Sequence, residues 1–179
     1  MSSNNNEMSD KLLGSTFFST AYIEECDTYN TASDGDLWAS AWADDDNLYS
    51  ANGDGKGFGS TFADIVVNRI TGSPYSNNVA GTALTSNISQ IWTSGGGYNR
   101  KPTGMISVDG NLYCAVQDLA PNFDNVPAAT ICKSTDHGAT WIWDTSAPMF
   151  NNYVFTTIMF LDYGRNNVDC PDSMSRSMV

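Results

Sequence analysis

The sequence predicts an all-β protein, on the evidence of its apolar pattern and its composition. Apolar residues come in short alternating or continuous runs, and Gly, Asn, Asp and Pro separate these runs, as is typical of many short strands. Helical periodicity is almost absent. The 179 residues are 41% hydrophobic and 12% aromatic, which suffices for one domain with a sizeable core and differs from a disordered chain.

The strands are expected from residue 37 onward, and short turn-forming sequences separate them. DDDN follows the first strand, the Gly-rich GDGKGFG follows the second, and DG and TDHG form two later turns. Residues 75–103 are predicted to form a loop in which one further strand, 88–92, is left open. The other predicted strands, in chain order, are 37–43, 48–52, 64–71, 104–108, 111–119, 129–134, 139–144 and 153–164.

Two units of the chain repeat. NLYSA at 47–51 matches NLYCA at 111–115, 64 residues later, and both follow an Asp-bearing turn after an apolar strand. Repeats of this length with about four strands each are typical of a β-propeller. We therefore expect a partial β-propeller of about two and a half to three four-stranded blades, and a β-sandwich with two similar hairpins is the alternative.

The predicted blades are fewer than the four or more that a closed propeller needs. Residues 1–12 are polar and are expected to form a flexible tail, residues 13–168 the incomplete propeller, and residues 169–179 an irregular tail in which strand character is lost. We expect a fragment, or the product of a shifted reading frame, that self-associates through its open blade edges.

Charge and hydropathy exclude several classes of partner. The net charge is −12 and no basic run occurs, which argues against nucleic acid and against an anionic membrane. No apolar stretch has membrane-spanning length, and the N-terminus lacks the charged-then-apolar order of a secretory signal. No cofactor is expected.

The four cysteines lack the C-x-x-C spacing of zinc sites. Cys114 and Cys132 lie inside apolar strand-like runs and are expected to be buried free thiols, while a disulfide stays open. The redox states of Cys26 and Cys170 stay open as well.

Residues 134–141, STDHGATW, predict a rigid hairpin corner. Ser134 and Asp136 can accept hydrogen bonds from backbone N–H groups across a tight turn. Gly138 can take the positive φ that such a turn needs. Trp141, on the returning strand, supplies a large apolar face beside the turn.

Three sites that residue types alone would suggest are not expected. Ser134, Asp136 and His137 are too close in sequence to align as a hydrolytic triad, so His137 is predicted to be solvated. The acidic turn Asp44–Asp46 lacks the spacing of an EF-hand loop, so it is predicted to be a solvated hairpin turn, and no metal site is predicted. The sequence 53–57, GDGKG, lacks the strand and helix context of a phosphate-binding loop.

The corner resembles the Asp-box, or BNR repeat, of sialidases and many other propellers, at Ser134, Asp136, Gly138, Thr140 and Trp141. A longer resemblance covers about residues 33–168, through GDLWASAWADDDNLYSANGDGKGFG, KPTGMISVDGNLYCAV and KSTDHGATW. It is to an uncharacterised propeller family related to glycoside-hydrolase-like and sialidase-like proteins. The resemblance implies a propeller, a carbohydrate ligand and an extracellular location.

Carbohydrate chemistry would combine carboxylates with aromatic side chains. Asp36, at the entry of the first strand, is the first catalytic candidate, and Asp54, in the Gly-rich bend, is the second, because hydrolysis of a glycosidic bond needs two carboxylates. Trp38 and Trp42 are the candidate binding residues, since sugars stack on aromatic rings. For each carboxylate, a turn-capping or solvated Asp is the alternative.

Asp118 and Asp162 follow strand ends and are weaker candidates for the same chemistry. True sialidase activity is not expected, because the available arginines lie in dissimilar contexts: Arg69, Arg100 and Arg165. Two functions therefore stay open. One is a glycoside-hydrolase-like propeller fragment, inactive alone, and the other is a non-catalytic carbohydrate-binding or scaffold propeller.

Overall fold

The chain folds into two antiparallel sheets, which confirms the all-β prediction. The computed structural model describes residues 20, 31–91 and 96–175, without the side chains of Ser173 and Ser175. Sheet A holds four strands in sequence order, and sheet B holds three. The strands of sheet A are β1 Asp34–Trp42, β2 Leu48–Gly57, β3 Ala63–Thr71 and β4 Ala80–Thr85. The strands of sheet B are β5 Asn99–Val108, β6 Asn111–Leu119 and β7 Ala128–Ser134.

Helical structure in the described residues is confined to single turns. Three are 3₁₀-helices and one is a four-residue α-helix: Pro74–Ser76, Asn87–Gln90, Arg165–Asn167 and Asp172–Ser175. Among the described residues, none of these is long and apolar enough to cross a membrane.

The fourth strand of sheet A was not predicted. β4 lies inside the segment expected to be a loop, and it pairs with β3 through a register that shifts between Val67 and Asn68. Its sequence, AGTALT, has little apolar alternation, so pairing with β3 rather than local pattern makes it a strand. The prediction of a possible strand at 88–92 was wrong, because Asn87–Gln90 forms a 3₁₀-helix.

Two further predicted strands are also wrong. Residues 139–144 contribute only an isolated bridge between Ile142 and Lys133. Residues 153–164 form no strand, since Tyr153 and Phe155 have positive φ values of 65° and 57°, which interrupt an extended chain. The described residues therefore contain one four-stranded and one three-stranded sheet, without strands for a third unit.

The main core lies between the two sheets. β2 contributes Tyr49 and Ala51, and β6 contributes Leu112, Cys114 and Val116, at alternate positions as expected for one face of each strand. The other face of sheet B is covered as well. The core members there are Ala115, Ala129 and Ile158, with Phe150 and Phe160 packed against them.

The residues 153–161, called the end segment below, thus form a third layer over sheet B. Thr156 and Ile158 are buried, while Phe155, Met159 and Leu161 between and beside them are 74%, 79% and 71% exposed. This alternation is that of a strand with one covered face, although no described residue pairs with it in a ladder.

Cys114 and Cys132 are buried free thiols, as predicted. They face each other across β6 and β7. Lys133 exchanges its backbone hydrogen bonds with Ile142, so Cys132 directs its own toward β6 and the two cysteines form a hydrogen-bonded pair. Their Cβ atoms are then about 5.5 Å apart, beyond the ~3.8 Å typical of a disulfide.

Candidate functional site

The edges of the two sheets meet where β1 lies against β5, and a charge cluster around a buried lysine lies at this junction. Lys101 of β5 is 2% exposed, and its Nζ lies 3.5 Å from both carboxylate oxygens of Asp36 in β1. The same ammonium is in direct contact with Asp54 Oδ2 of β2. Asp36, Asp54 and Lys101 are called the junction cluster below.

Irregular backbone in sheet A makes room for this cluster. The β1–β2 register shifts on both sides of Asp36, which pairs with Gly53. A Cβ on Gly53 would lie 2.5 Å from Asp36 Oδ1 and 3.3 Å from Lys101 Cδ, so only glycine leaves space for both side chains. Asn99 Nδ2 donates a 2.6 Å hydrogen bond to Asp54 Oδ1 and fixes the second carboxylate.

A cleft of about 370 Å³ adjoins the junction cluster, and it is called the junction cleft. Asp36 and Lys101 immediately precede two of its lining residues. The lining is Leu37, Trp38, Ala39, Pro102, Thr103, Gln117, Thr157 and Met159. It combines an indole, an amide and two hydroxyl groups, which is the mixture of apolar surface and few polar groups found in small-molecule sites.

Local contacts hold the polar and aromatic groups of the cleft. Trp38 Nε1 donates to Gly35 O at 3.2 Å, and its ring meets Phe58 edge-on with centroids 5.9 Å apart. Gln117 Oε1 accepts a 2.9 Å hydrogen bond from Thr157 Oγ1. The end segment therefore supplies one wall of the cleft, and sheets A and B supply the others.

The two candidate tryptophans do not share a site. Trp42 lies at the far end of β1, is 50% exposed, and lines a separate groove with Leu48 and Ile70. Only Trp38 lines the junction cleft.

The weaker carboxylate candidates belong to other elements of the fold, β6 and the residues that follow the end segment. Asp118 is 1% exposed and pairs in register with Arg100 across β5 and β6. Arg100 forms an ion pair of 2.9 Å with Asp64. Asp162 is exposed beyond the end segment.

Lys101 is the site residue that the sequence analysis missed, along with Thr103, Gln117 and Thr157. Its partner Asp36 is 65 residues away, so no local spacing connects them. The sequence did contain one indication. The chain has only eight Lys and Arg residues, and Lys101 lies three residues before the predicted apolar strand 104–108. Lysine is seldom fully buried without a partner.

The residues 134–141, called the corner turn, have the hydrogen bonds expected from their sequence. Ser134 Oγ accepts from Gly138 N at 2.8 Å, and Asp136 Oδ1 accepts from Thr140 N at 2.8 Å. Gly138 has φ +81°, and Trp141, 4% exposed, donates from Nε1 to Gly138 O at 3.1 Å. Hydrogen bonds, above all from the Thr140 hydroxyl, hold the pKa of Asp136 below its ordinary value.

The His137 side chain is partly exposed, but it also has a protein partner that the sequence did not predict. Its Nε2 lies 2.8 Å from Asp44 Oδ1, in the turn between β1 and β2. The acidic turn is exposed as predicted, yet each carboxylate has a protein partner: Asp45 accepts hydrogen bonds from Tyr49 and Asn47, and Asp46 pairs with Arg165. Both ion pairs join turns that are distant in sequence, which is why no local spacing indicated them.

The fold and site together define an all-β protein of two stacked antiparallel sheets with a largely apolar cleft, which carries a few polar groups, where their edges meet. No family model matches the chain, and no curated protein is significantly similar to it.

Proposed function

We propose that this chain is part of a β-propeller that binds carbohydrate in the junction cleft without cleaving it. The observation that carries the proposal is the lining of the cleft, which includes Trp38, Gln117, Thr103 and Thr157. An indole offers an apolar face for a sugar ring, and amides and hydroxyls can exchange hydrogen bonds with sugar hydroxyls.

The junction cluster favours binding over hydrolysis. Glycoside hydrolysis needs two carboxyl groups that flank the scissile bond. Lys101 contacts both Asp36 and Asp54, and neither of them is a lining residue of the junction cleft. We therefore assign Asp36 and Asp54 a structural and electrostatic role. Glycoside hydrolysis is the alternative function, and the experiment must distinguish it from binding.

The layer arrangement supports the propeller part of the proposal. A shared core between two sheets is also expected of a β-sandwich. Sheet B, however, is covered on both faces, by sheet A and by the end segment, as an inner blade of a propeller would be. The first strands of the two sheets, β1 and β5, lie side by side, as innermost strands around an axis would.

Self-association belongs to the same proposal. The end segment exposes Phe155, Met159 and Leu161, and β1 exposes Trp42 at the opposite side of the stack. Exposed apolar faces of this kind are typical interaction surfaces.

A glycan array combined with a chromogenic-glycoside screen tests the function. We expect glycan binding by the wild-type chain, at least tenfold weaker binding by Trp38→Ala, unchanged binding by the matched control Trp42→Ala, and no release of chromophore. Turnover that Asp36→Asn abolishes would establish the hydrolase instead. Equal binding by Trp38→Ala and wild type would show that the junction cleft is not the site.

A further inference from the structure

We propose that Asp44, Asp45 and His137 bind a divalent transition-metal ion, with Zn²⁺ as the representative. Asp44 and Asp45 belong to the turn between β1 and β2, whereas His137 belongs to the corner turn after β7. One donor atom from each of the three residues lies within 4.8 Å of the other two. The site thus joins a turn of sheet A to a turn of sheet B, and it is independent of the junction cleft and of its proposed ligand.

The imidazole distinguishes this cluster from a group of exposed carboxylates. His137 Nε2 already points at Asp44 Oδ1, 2.8 Å away, and the ring lies beside Tyr49 with centroids 6.0 Å apart. Imidazole nitrogen and carboxylate oxygen bind Zn²⁺ at about 2.0–2.2 Å, so donors around a tetrahedral ion lie about 3.3–3.6 Å apart. The three donors of the cluster lie within 4.8 Å of one another, close to that spacing.

Neighbouring groups orient the second carboxylate. Asp45 Oδ2 accepts hydrogen bonds from the Tyr49 hydroxyl at 2.7 Å and from Asn47 Nδ2 at 2.8 Å. Outer partners of this kind fix the direction of ligating side chains in metal sites.

Charge balance also favours a cation here. Asp44 and Asp45 contribute two negative charges to the cluster, in a chain whose net charge is −12. The third carboxylate of the turn, Asp46, is instead paired with Arg165 at 2.9 Å. Asp46 lies in the same exposed turn as the proposed ligands but is not one of them. Asp46 is therefore a matched control.

The test is a Zn²⁺ titration of untagged protein at pH 7.5, because His137 is the only histidine of the chain. Cys26→Ser and Cys170→Ser in the background remove two thiols that could bind the metal. We expect saturable one-to-one binding, a Tm rise of roughly 5–10 °C at a 100-fold excess over Kd, and a shift of the single imidazole signal in the NMR spectrum.

Two variants decide the outcome. His137 has φ +53°, which asparagine tolerates, so His137→Asn removes the ligand without straining the turn. It should weaken Zn²⁺ binding at least tenfold, whereas Asp46→Asn should leave it unchanged. Asp44→Asn gives the same test if His137→Asn does not fold. An unmoved imidazole signal, equal binding by the ligand variants and wild type, or equally strong Ca²⁺ binding would overturn the proposal.

Discussion

Lys101 is a buried cation at the junction between the two sheets. Its ammonium is removed from water, and two carboxylates from two strands of sheet A compensate it. Breaking such a pair costs more than its net contribution, because a buried charge is left without its partner. The sequence predicted Asp36 and Asp54 as candidate catalytic carboxylates. It did not predict the cation that contacts both, since that contact exists only after the sheets pack.

Asp54→Asn should lower the free energy of unfolding by about 1–3 kcal/mol, and Asp36→Asn by less. Asp54 is in direct contact with the Lys101 ammonium, while Asp36 is 3.5 Å from it and 56% exposed. Urea unfolding measures both, with Asp109→Asn in an exposed turn as the control. A larger loss for Asp36→Asn than for Asp54→Asn would contradict this ranking.

The buried thiols make stability fall in alkali. Burial raises the pKa of Cys114 from 9.0 to about 12 and also raises that of Cys132, with a smaller contribution from the neighbouring Cys114. Unfolded thiols ionise above pH ~9 while the folded ones stay protonated, so their stabilising contribution is present below pH ~9 and is lost as the pH rises toward about 12. The free energy of unfolding should fall by about 1.4 kcal/mol per pH unit per thiol.

Urea unfolding at pH 8, 9, 10 and 11 measures this slope. A double variant with Cys114→Ala and Cys132→Ala should be less stable at pH 8 but should have a shallower slope. An unchanged slope in the double variant would show that other groups cause the alkaline loss.

At the scale of elements, strands were predicted correctly where the sequence has its own apolar pattern, and wrongly where pairing with another strand determines the structure. β3, β6 and β7 lie close to their predicted bounds, because short apolar or β-branched runs between turn residues mark them. β2 begins at the predicted residue but continues to Gly57, so the predicted bend at 53–59 was wrong over most of its length. β4 lacks that pattern and forms through its pairing with β3. The 153–164 segment has the pattern, yet no described residue pairs with it, and its positive φ values break the extended chain.

Removal of the Ser134 hydroxyl from the corner turn should destabilise the protein. Ser134 is 1% exposed and its Oγ accepts the hydrogen bond of the buried Gly138 N–H. Ser134→Ala leaves that N–H unpaired, so the free energy of unfolding should fall by about 1–3 kcal/mol. Thr135→Ala, which removes a hydroxyl at the exposed neighbouring position, should change it by less than about 0.5 kcal/mol. Equal effects of the two substitutions in thermal unfolding would exclude this role.

At the scale of the whole molecule, three layers are stacked in chain order and the outer two expose apolar groups. The all-β class followed from the apolar pattern and from composition, and the copies of the repeat, NLYSA and NLYCA, fall on β2 and β6 of the two sheets. The order of sheet A, sheet B and the end segment could not be predicted from the sequence, because it depends on which faces of the sheets pack against each other. The strong negative charge of the chain opposes association of these layers between copies.

Self-association should therefore increase with salt. The Debye length falls from about 10 Å at 0.1 M to about 3 Å at 1 M ionic strength, which weakens the repulsion between copies. Sedimentation velocity should show a larger weight-average mass at high salt, and a variant with Phe155→Ser and Met159→Ser should reduce it. Tyr75→Ser, at a 97% exposed position outside the end segment, is the control. A monomer at every salt concentration would refute the association.

The most direct test of the central claim is an NMR titration of the chain with the best glycan from the array, observing the tryptophan indole N–H signals. Carbohydrate binding in the junction cleft predicts a saturable shift of the Trp38 indole and of the Thr103 and Gln117 amides, while the Trp42 indole stays in place. A shift of Trp42 with Trp38 unmoved, or no shift at glycan concentrations that saturate the array, would contradict the account.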